Sequence, residues 1–166
     1  MSTAITEPMR ALTLRLDDEL FAIKAESVRE ILDLVPVTDV PNATPFAPGL
    51  INVRGRVVPL TDLKVAFGMQ DTASDEDTRI VVIETEIEGE LSIVGILADK
   101  VYDVTDIEPA AIEEAPRVGM RWRADYVRGI GKRRGDFIII PDMQRIFEIE
   151  GRRSAPSTAS EERAAS

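Results

Sequence analysis

Apolar positions along this chain fall mostly into short runs, too short for helices and parted by turn residues. Leu12, Leu14 and Leu16 alternate with Thr13 and Arg15, the pattern of a half-buried strand. Asp17-Asp18-Glu19 turns the chain, and residues 20–23 return it as a second arm. Over residues 25–32 the period changes. Val28, Ile31 and Leu32 stand at i, i+3 and i+4, which predicts one face of a short helix. Pro36, Pro41, Pro45 and Pro48 then predict a long connection, with at most a short strand near residues 35–40.

The central feature is the stretch 48–63. Two β-branched-rich runs, 50–53 and 57–60, flank Arg54-Gly55-Arg56, the signature of a hairpin whose glycine takes φ > 0. A turn that only reverses the chain needs no arginines. Asn52, Arg54 and Arg56 crowded round one glycine suggest a surface that meets something. Asp62 is placed to cap a short helix over 63–67, and Gly68 to end it.

Residues 70–78 are acidic and lack large apolar side chains, so they read as a solvated linker. Beyond them, 80–83 and 91–97 are nearly continuous apolar runs, too short for helices and split by Glu88-Gly89-Glu90, which predicts core strands. Val101, Val104 and Ile107 continue as a further strand or strand-turn, and 109–116 is irregular, with at most a helical turn. A second hairpin runs over 126–130 and 137–140, around residues 132–136. A short helix follows over 142–149. Residues 1–10 read as a flexible N-terminus, and 151–166 as a disordered tail of Ser, Ala, Glu and Arg.

The halves repeat in order. Gly55-x-Val57-Val58-x-Leu60-x-Asp62-Leu63-x-x-x-Phe67 recurs as Gly135-x-Phe137-Ile138-x-Ile140-x-Asp142-Met143-x-x-x-Phe147. Upstream, Ala22-Ile23 and Val28-x-Glu30-Ile31 recur as Gly95-Ile96 and Val101-x-Asp103-Val104. This predicts a mainly β chain over 11–150, built as two related barrels of about five strands, with their boundary near the 69–79 linker.

Composition narrows the function. The 166 residues suffice for one domain, 44% are apolar, and the formal charge is −10 from 30 acidic and 20 basic residues. So acidic a domain repels nucleic acid and anionic membrane at long range. The absence of cysteine and histidine removes disulfides, thiolate metal sites and every histidine-based catalytic arrangement. The carboxylates form no persuasive catalytic pair, so neither enzyme activity nor a cofactor or metal is expected. No apolar run reaches the length of a membrane helix, so a cytoplasmic location is expected.

Gly49, Asn52, Arg54, Gly55, Pro59 and Asp62, in that spacing, resemble the hallmark of the bacterial chemotaxis coupling family CheW. Residues 95–104, 126–131 and 138–143 match three further blocks of its pattern, so the resemblance covers roughly 11–149. It implies two SH3-like barrels packed together and a non-enzymatic scaffold. The implied partners are the cytoplasmic tips of chemoreceptors and the regulatory domain of the histidine kinase CheA, with membrane association only through receptor arrays at the inner membrane. It also implies a receptor-binding set of Val28 (on the short helix), Gly49, Asn52, Arg54, Gly55 and Val104, lining a groove between the barrels. Ala98 and Pro141 depart from the family pattern, where larger aliphatics are usual. A chemosensory-like pathway controlling something other than swimming, such as gliding or pili, stands as an alternative.

Each of these residues also has a plain reading. Arg54 and Arg56 read alone as solvated turn arginines, the glycines as backbone requirements, the valines as core, and Asp62 and Asp142 as caps. Arg121, Trp122, Arg123, Arg128 and Lys132-Arg133-Arg134 form a rival signal, a cationic face for single-stranded nucleic acid on a small barrel. The net charge argues against it.

Overall fold

The structure is a computed structural model that describes residues 7–69, 73–116, 123–133 and 135–154. It is mainly β. Among the described residues there are eleven strands, β1 (Met9–Leu16), β2 (Glu19–Lys24), β3 (Val28–Leu32), β4 (Gly49–Val53), β5 (Arg56–Thr61), β6 (Arg79–Ile87), β7 (Glu90–Ala98), β8 (Lys100–Ile107), β9 (Ile112–Glu113), β10 (Val127–Arg133) and β11 (Asp136–Pro141). Two helices, α1 (Leu63–Ala66) and α2 (Met143–Ser154), follow β5 and β11.

The strands form two sheets, in the orders β8-β1-β2-β11-β10-β9 and β3-β6-β7-β5-β4. Each sheet curls into a barrel with its own interior. Met9, Ala11, Ala22, Ile107, Ile138 and Ile140 fill the first. Ile51, Val53, Val58, Leu60, Ile80 and Val82 fill the second. The alternate residues of the same strands face the other way. Leu12, Leu14 and Leu16 of β1 meet Val81 and Ile83 of β6 in the layer between the barrels. Strands buried on both faces carry apolar residues at every position, which is why 80–83 shows no alternation. Each such buried aliphatic contributes roughly 1.5–3 kcal/mol, so this shared layer is the main bond between the barrels.

The repeat seen in the sequence is real at the level of hydrogen bonds. The Asp62 amide donates to the Phe46 carbonyl and the Asp142 amide to the Tyr126 carbonyl, both at 2.8 Å. In both barrels the strand before the helix pairs in parallel with the second arm of a hairpin, β5 with β7 and β11 with β2. But the hairpins are exchanged. β1–β2 completes the sheet of the second repeat, and β6–β7 completes the sheet of the first. The expected boundary near 69–79 therefore does not mark a change of sheet, since β5 and β6 belong to the same one. The chain crosses between sheets at the 3-10 turn Ala25–Ser27 and again at Asp99.

Four local expectations need correction. Strand β1 begins at Met9, whose side chain is buried in the first barrel, so residues 9–10 are not part of a flexible N-terminus. Residues 25–32 are not a helix; only Ala25–Ser27 turns, and Val28–Leu32 is strand β3. Its pairing slips between Val28 and Glu30, Val28 opposing Ile83 and Glu30 opposing Val82. This β-bulge inserts one residue into the alternation, so Val28 and Ile31 point to one face and imitate a helical spacing. The second hairpin is tighter than expected, because Lys132 and Arg133 pair with Phe137 and Asp136. Helix α2 continues to Ser154, past the expected end at 149 and into the stretch read as tail. Residues 155–166, like 1–6 and 70–72, lie outside the described residues.

Candidate functional site

The hairpin β4–β5 closes through Arg54 and Gly55, with φ of 52° and 82°. Two consecutive positive φ angles make the tight turn that suits the twist of paired strands. Glycine adopts this freely, whereas an L-residue pays for it. Asn52 holds the turn from below, its side-chain oxygen accepting from the Gly55 amide at 2.8 Å. The left-handed backbone at Arg54 sets where its side chain leaves the turn.

That side chain crosses to the opposite edge of the sheet. Arg54 Nε donates to both oxygens of Glu30 at 3.0 and 3.1 Å, and an Nη lies 2.8 Å from Oε1. Glu30 sits on β3, the strand at the far end of the sheet order, so this fork spans the seam of the barrel. The hydrogen bond from Arg54 and the guanidinium charge outweigh partial desolvation and hold the Glu30 carboxyl below its usual range; Arg54 is raised in return. Most of the guanidinium still faces solvent, with 81% of the Arg54 side chain exposed against 21% for Glu30.

Gly49, at the start of β4, is placed for a different reason. A Cβ there would clash with the Thr38 carbonyl oxygen and lie 2.7 Å from Val37 Cγ1. Thr38 exchanges backbone hydrogen bonds with Leu50, so glycine is what lets this extra strand segment approach.

Val28 and Val104 lie on different sheets, on the edge strands β3 and β8. Their register partners, Ile83 and Leu12, both belong to the layer between the barrels. Directly opposed residues share a face, so both valines look toward that layer from its rim. Val28 packs against it, whereas Val104 remains 53% exposed. β8 also slips against β1, between Val101 and Val104. The paired bulges show that the counterparts are Val28 with Val101 and Ile31 with Val104. Ile31, 43% exposed, therefore joins the set, as does Glu30. Neither was singled out from the sequence, although the internal repeat had already aligned Ile31 with Val104.

Two members of the rival cationic face, Arg123 and Lys132, are engaged within the fold. Arg123 forms a two-pronged pair with Asp125, which keeps that carboxyl low, and lies over the Tyr126 ring at 4.6 Å. Lys132 pairs with Glu113 at 2.9 Å. Arg121, Trp122 and Arg134 lie outside the described residues. Among the described residues no group of three or more metal-ligating side chains occurs, and no helix is long and apolar enough to cross a membrane.

Comparison with known proteins decides the family. The CheW-like domain model matches residues 10–150, nearly all of the described chain. The chain belongs to the CheW family. It is 28% identical over 144 residues to the chemotaxis protein CheW of Rhizobium meliloti, covering 87% of this chain and 90% of that protein. It is 31% identical over 139 residues to CheW of Klebsiella aerogenes, covering 84% and 81%. The crystal structure of the scaffolding protein TtCheW from Thermoanaerobacter tengcongensis superposes with a TM-score of 0.75 at 32% identity, covering 87% of this chain and 95% of that one. Membership of this family makes the chain a chemotaxis coupling adaptor, and its two-barrel fold is that of the family's scaffolds.

Proposed function

We propose that the chain links the cytoplasmic tips of chemoreceptors to the regulatory domain of the kinase CheA, and that it performs no chemistry of its own. It works in the cytoplasm and reaches the inner membrane only through receptors. The receptor-facing set is Val28, Gly49, Asn52, Arg54, Gly55 and Val104, extended by Glu30 and Ile31. Val28, Ile31 and Val104 supply an apolar rim that suits a helical tip, and Arg54, steadied by Glu30, supplies directional donors for carbonyls or carboxylates. Gly49, Asn52 and Gly55 act through the backbone, by shaping the hairpin that carries Arg54. The observation that carries this reading is the placement of Val28 and Val104 on counterpart edge strands, both turned toward the layer between the barrels.

Coupling then needs only an assembly that fits one kinase state better than another. The test is co-sedimentation with a receptor fragment and, separately, with the kinase regulatory domain. Val28→Glu and Arg54→Ala should each lose receptor binding while keeping the circular dichroism spectrum of the parent and its kinase binding. Unchanged receptor binding in both variants would refute the groove.

A further inference from the structure

The two crossings between the sheets are built on one pattern, and only one of them is closed. The repeat that pairs Ala22-Ile23 with Gly95-Ile96 and Val28 with Val101 has no gap between these points, so Glu26 is the counterpart of Asp99. The repeat that pairs Asp142-Met143 with Asp62-Leu63 likewise makes Gln144 the counterpart of Lys64. At the second crossing Lys64 Nζ lies 3.0 Å from Asp99 Oδ1, and both side chains are almost fully buried. At the first crossing a neutral glutamine stands where the lysine would be. Glu26 and Gln144 are both exposed there, and both line a cleft of about 400 Å³.

The cleft is cut into the layer between the barrels. Ile23 and Ile83 belong to that layer and line the cleft from the two sheets, together with Ser27. Val28 follows Ser27 and opposes Ile83, so the cleft runs into the rim assigned to the receptor. Carboxylates outnumber cations around it, with Glu26, Glu84, Glu86 and Asp142 against Lys24 and Arg128. Two of these acids are already engaged. Arg29 donates to Glu84 at 2.6 Å, and Asp142 accepts from the Arg145 amide at the start of α2. Glu26 is held far less firmly. Its side chain is 79% exposed and lies 3.6 Å from Lys24 Nζ, beyond hydrogen-bond reach.

We propose that this cleft receives the cationic end of one lysine or arginine side chain carried by the receptor tip, in the place that Lys64 fills in the other half of the chain. The occupant rests on the receptor reading above, because a helical tip seated on Val28 stands beside the cleft. Its ammonium or guanidinium donates charge-assisted hydrogen bonds to Glu26, and the net charge of −10 draws it in at long range. Ile23 and Ile83 accommodate the methylene stem while the head stays at the carboxylates. The internal clasp at the second crossing shows the same chemistry completed within the chain. The first crossing leaves it to be completed by the partner.

The test measures binding of the full chain to a receptor fragment and, separately, to the kinase regulatory domain, at low and high salt. Glu26→Gln should bind the receptor fragment about tenfold more weakly at low salt, with a smaller difference at high salt. It should bind the kinase domain as the parent does. Gln144→Lys supplies the cation from within the chain. That variant should melt higher than the parent, lose the gain when combined with Glu26→Gln, and bind the receptor fragment more weakly because the cleft is filled. Unchanged receptor binding in both variants, with the parent bound, overturns the cleft and leaves the Val28 rim standing. So does a Glu26→Gln defect that is equal at both salt concentrations, or one that falls on the kinase domain instead. A melting temperature of Gln144→Lys that does not depend on Glu26 overturns the equivalence with Lys64 on which the site rests. A parent chain that fails to bind the receptor fragment overturns the adaptor reading, and the receptor as occupant with it.

Discussion

At the residue scale the molecule separates charges that orient from charges that merely solvate. Arg54 and Arg56 flank the same glycine, yet only Arg54 is tied, and the difference is Glu30. No sequence pattern linked positions 24 residues apart, so this contact was not legible until the sheet curled and brought its two edges together. The expected consequence is a binding defect without a folding defect. Glu30→Gln should leave thermal stability nearly unchanged, because an exposed pair adds little, yet lower receptor affinity by releasing Arg54. The pH dependence follows from the lowered Glu30 pKa. A carboxylate depressed in the folded state contributes above its unfolded value, and the contribution is lost as pH falls through the folded one. The Arg54 Nε–H signal should therefore hold its position at neutral pH and move only in acid below the ordinary glutamate range. In Glu30→Gln it should already sit at the acid position at neutral pH; a signal that titrates alike in both proteins would dismiss the pair.

Elements show why some of the chain was readable and some was not. The strands of the core announced themselves, since burial on both faces leaves apolar residues at every position. The hairpin turns at Gly55 and Gly89 were equally plain, because positive φ calls for glycine. β3 was misread as a helix for one physical reason, the bulge between Val28 and Glu30 that spaces two same-face residues three apart. Once that bulge is placed, Ile31 becomes the counterpart of Val104. Ile31→Glu is therefore expected to reduce receptor co-sedimentation as much as Val104→Glu, with both proteins folded. A full response from Val104→Glu alone would show that the receptor engages only one edge. Gly49 makes a second prediction at this scale. Its role was legible as a backbone need but not what it approaches, since a two-residue bridge at Thr38 leaves no pattern. Gly49→Ala must push Val37 and Thr38 away, at a cost of about 1–3 kcal/mol, measurable as a lower urea midpoint. Gly129, whose Cβ would lie 2.8 Å from Ile112 in the other barrel, reproduces the same constraint.

For the whole molecule, the repeat foretold two barrels but not their exchange of hairpins, because a repeat records what each half contains and not which sheet it joins. The exchange has a mechanical consequence. A cut in the 69–79 linker separates β1 and β2 from β8 and β11, and β6 and β7 from β3 and β5, so neither half keeps a complete sheet. The second crossing is pinned besides. Asp99 accepts from the Asp17 amide at 2.7 Å and from Lys64 Nζ at 3.0 Å, while its own amide donates to the Arg15 carbonyl. Lys64 belongs to α1, on the second barrel, and both charges are almost fully buried. Burying an ion pair is costly, and its net contribution against an apolar pair is small, but removing one partner strands the other at about 3–5 kcal/mol. Lys64→Ala should lower stability by that amount. Because each barrel takes strands from both halves of the chain and the two share one buried layer, the loss should appear as one earlier transition, with far-ultraviolet and near-ultraviolet circular dichroism coinciding along the urea curve. Two separated transitions would mean that the barrels unfold independently, and a scaffold of that kind could not pass a change in receptor geometry from one barrel to the other.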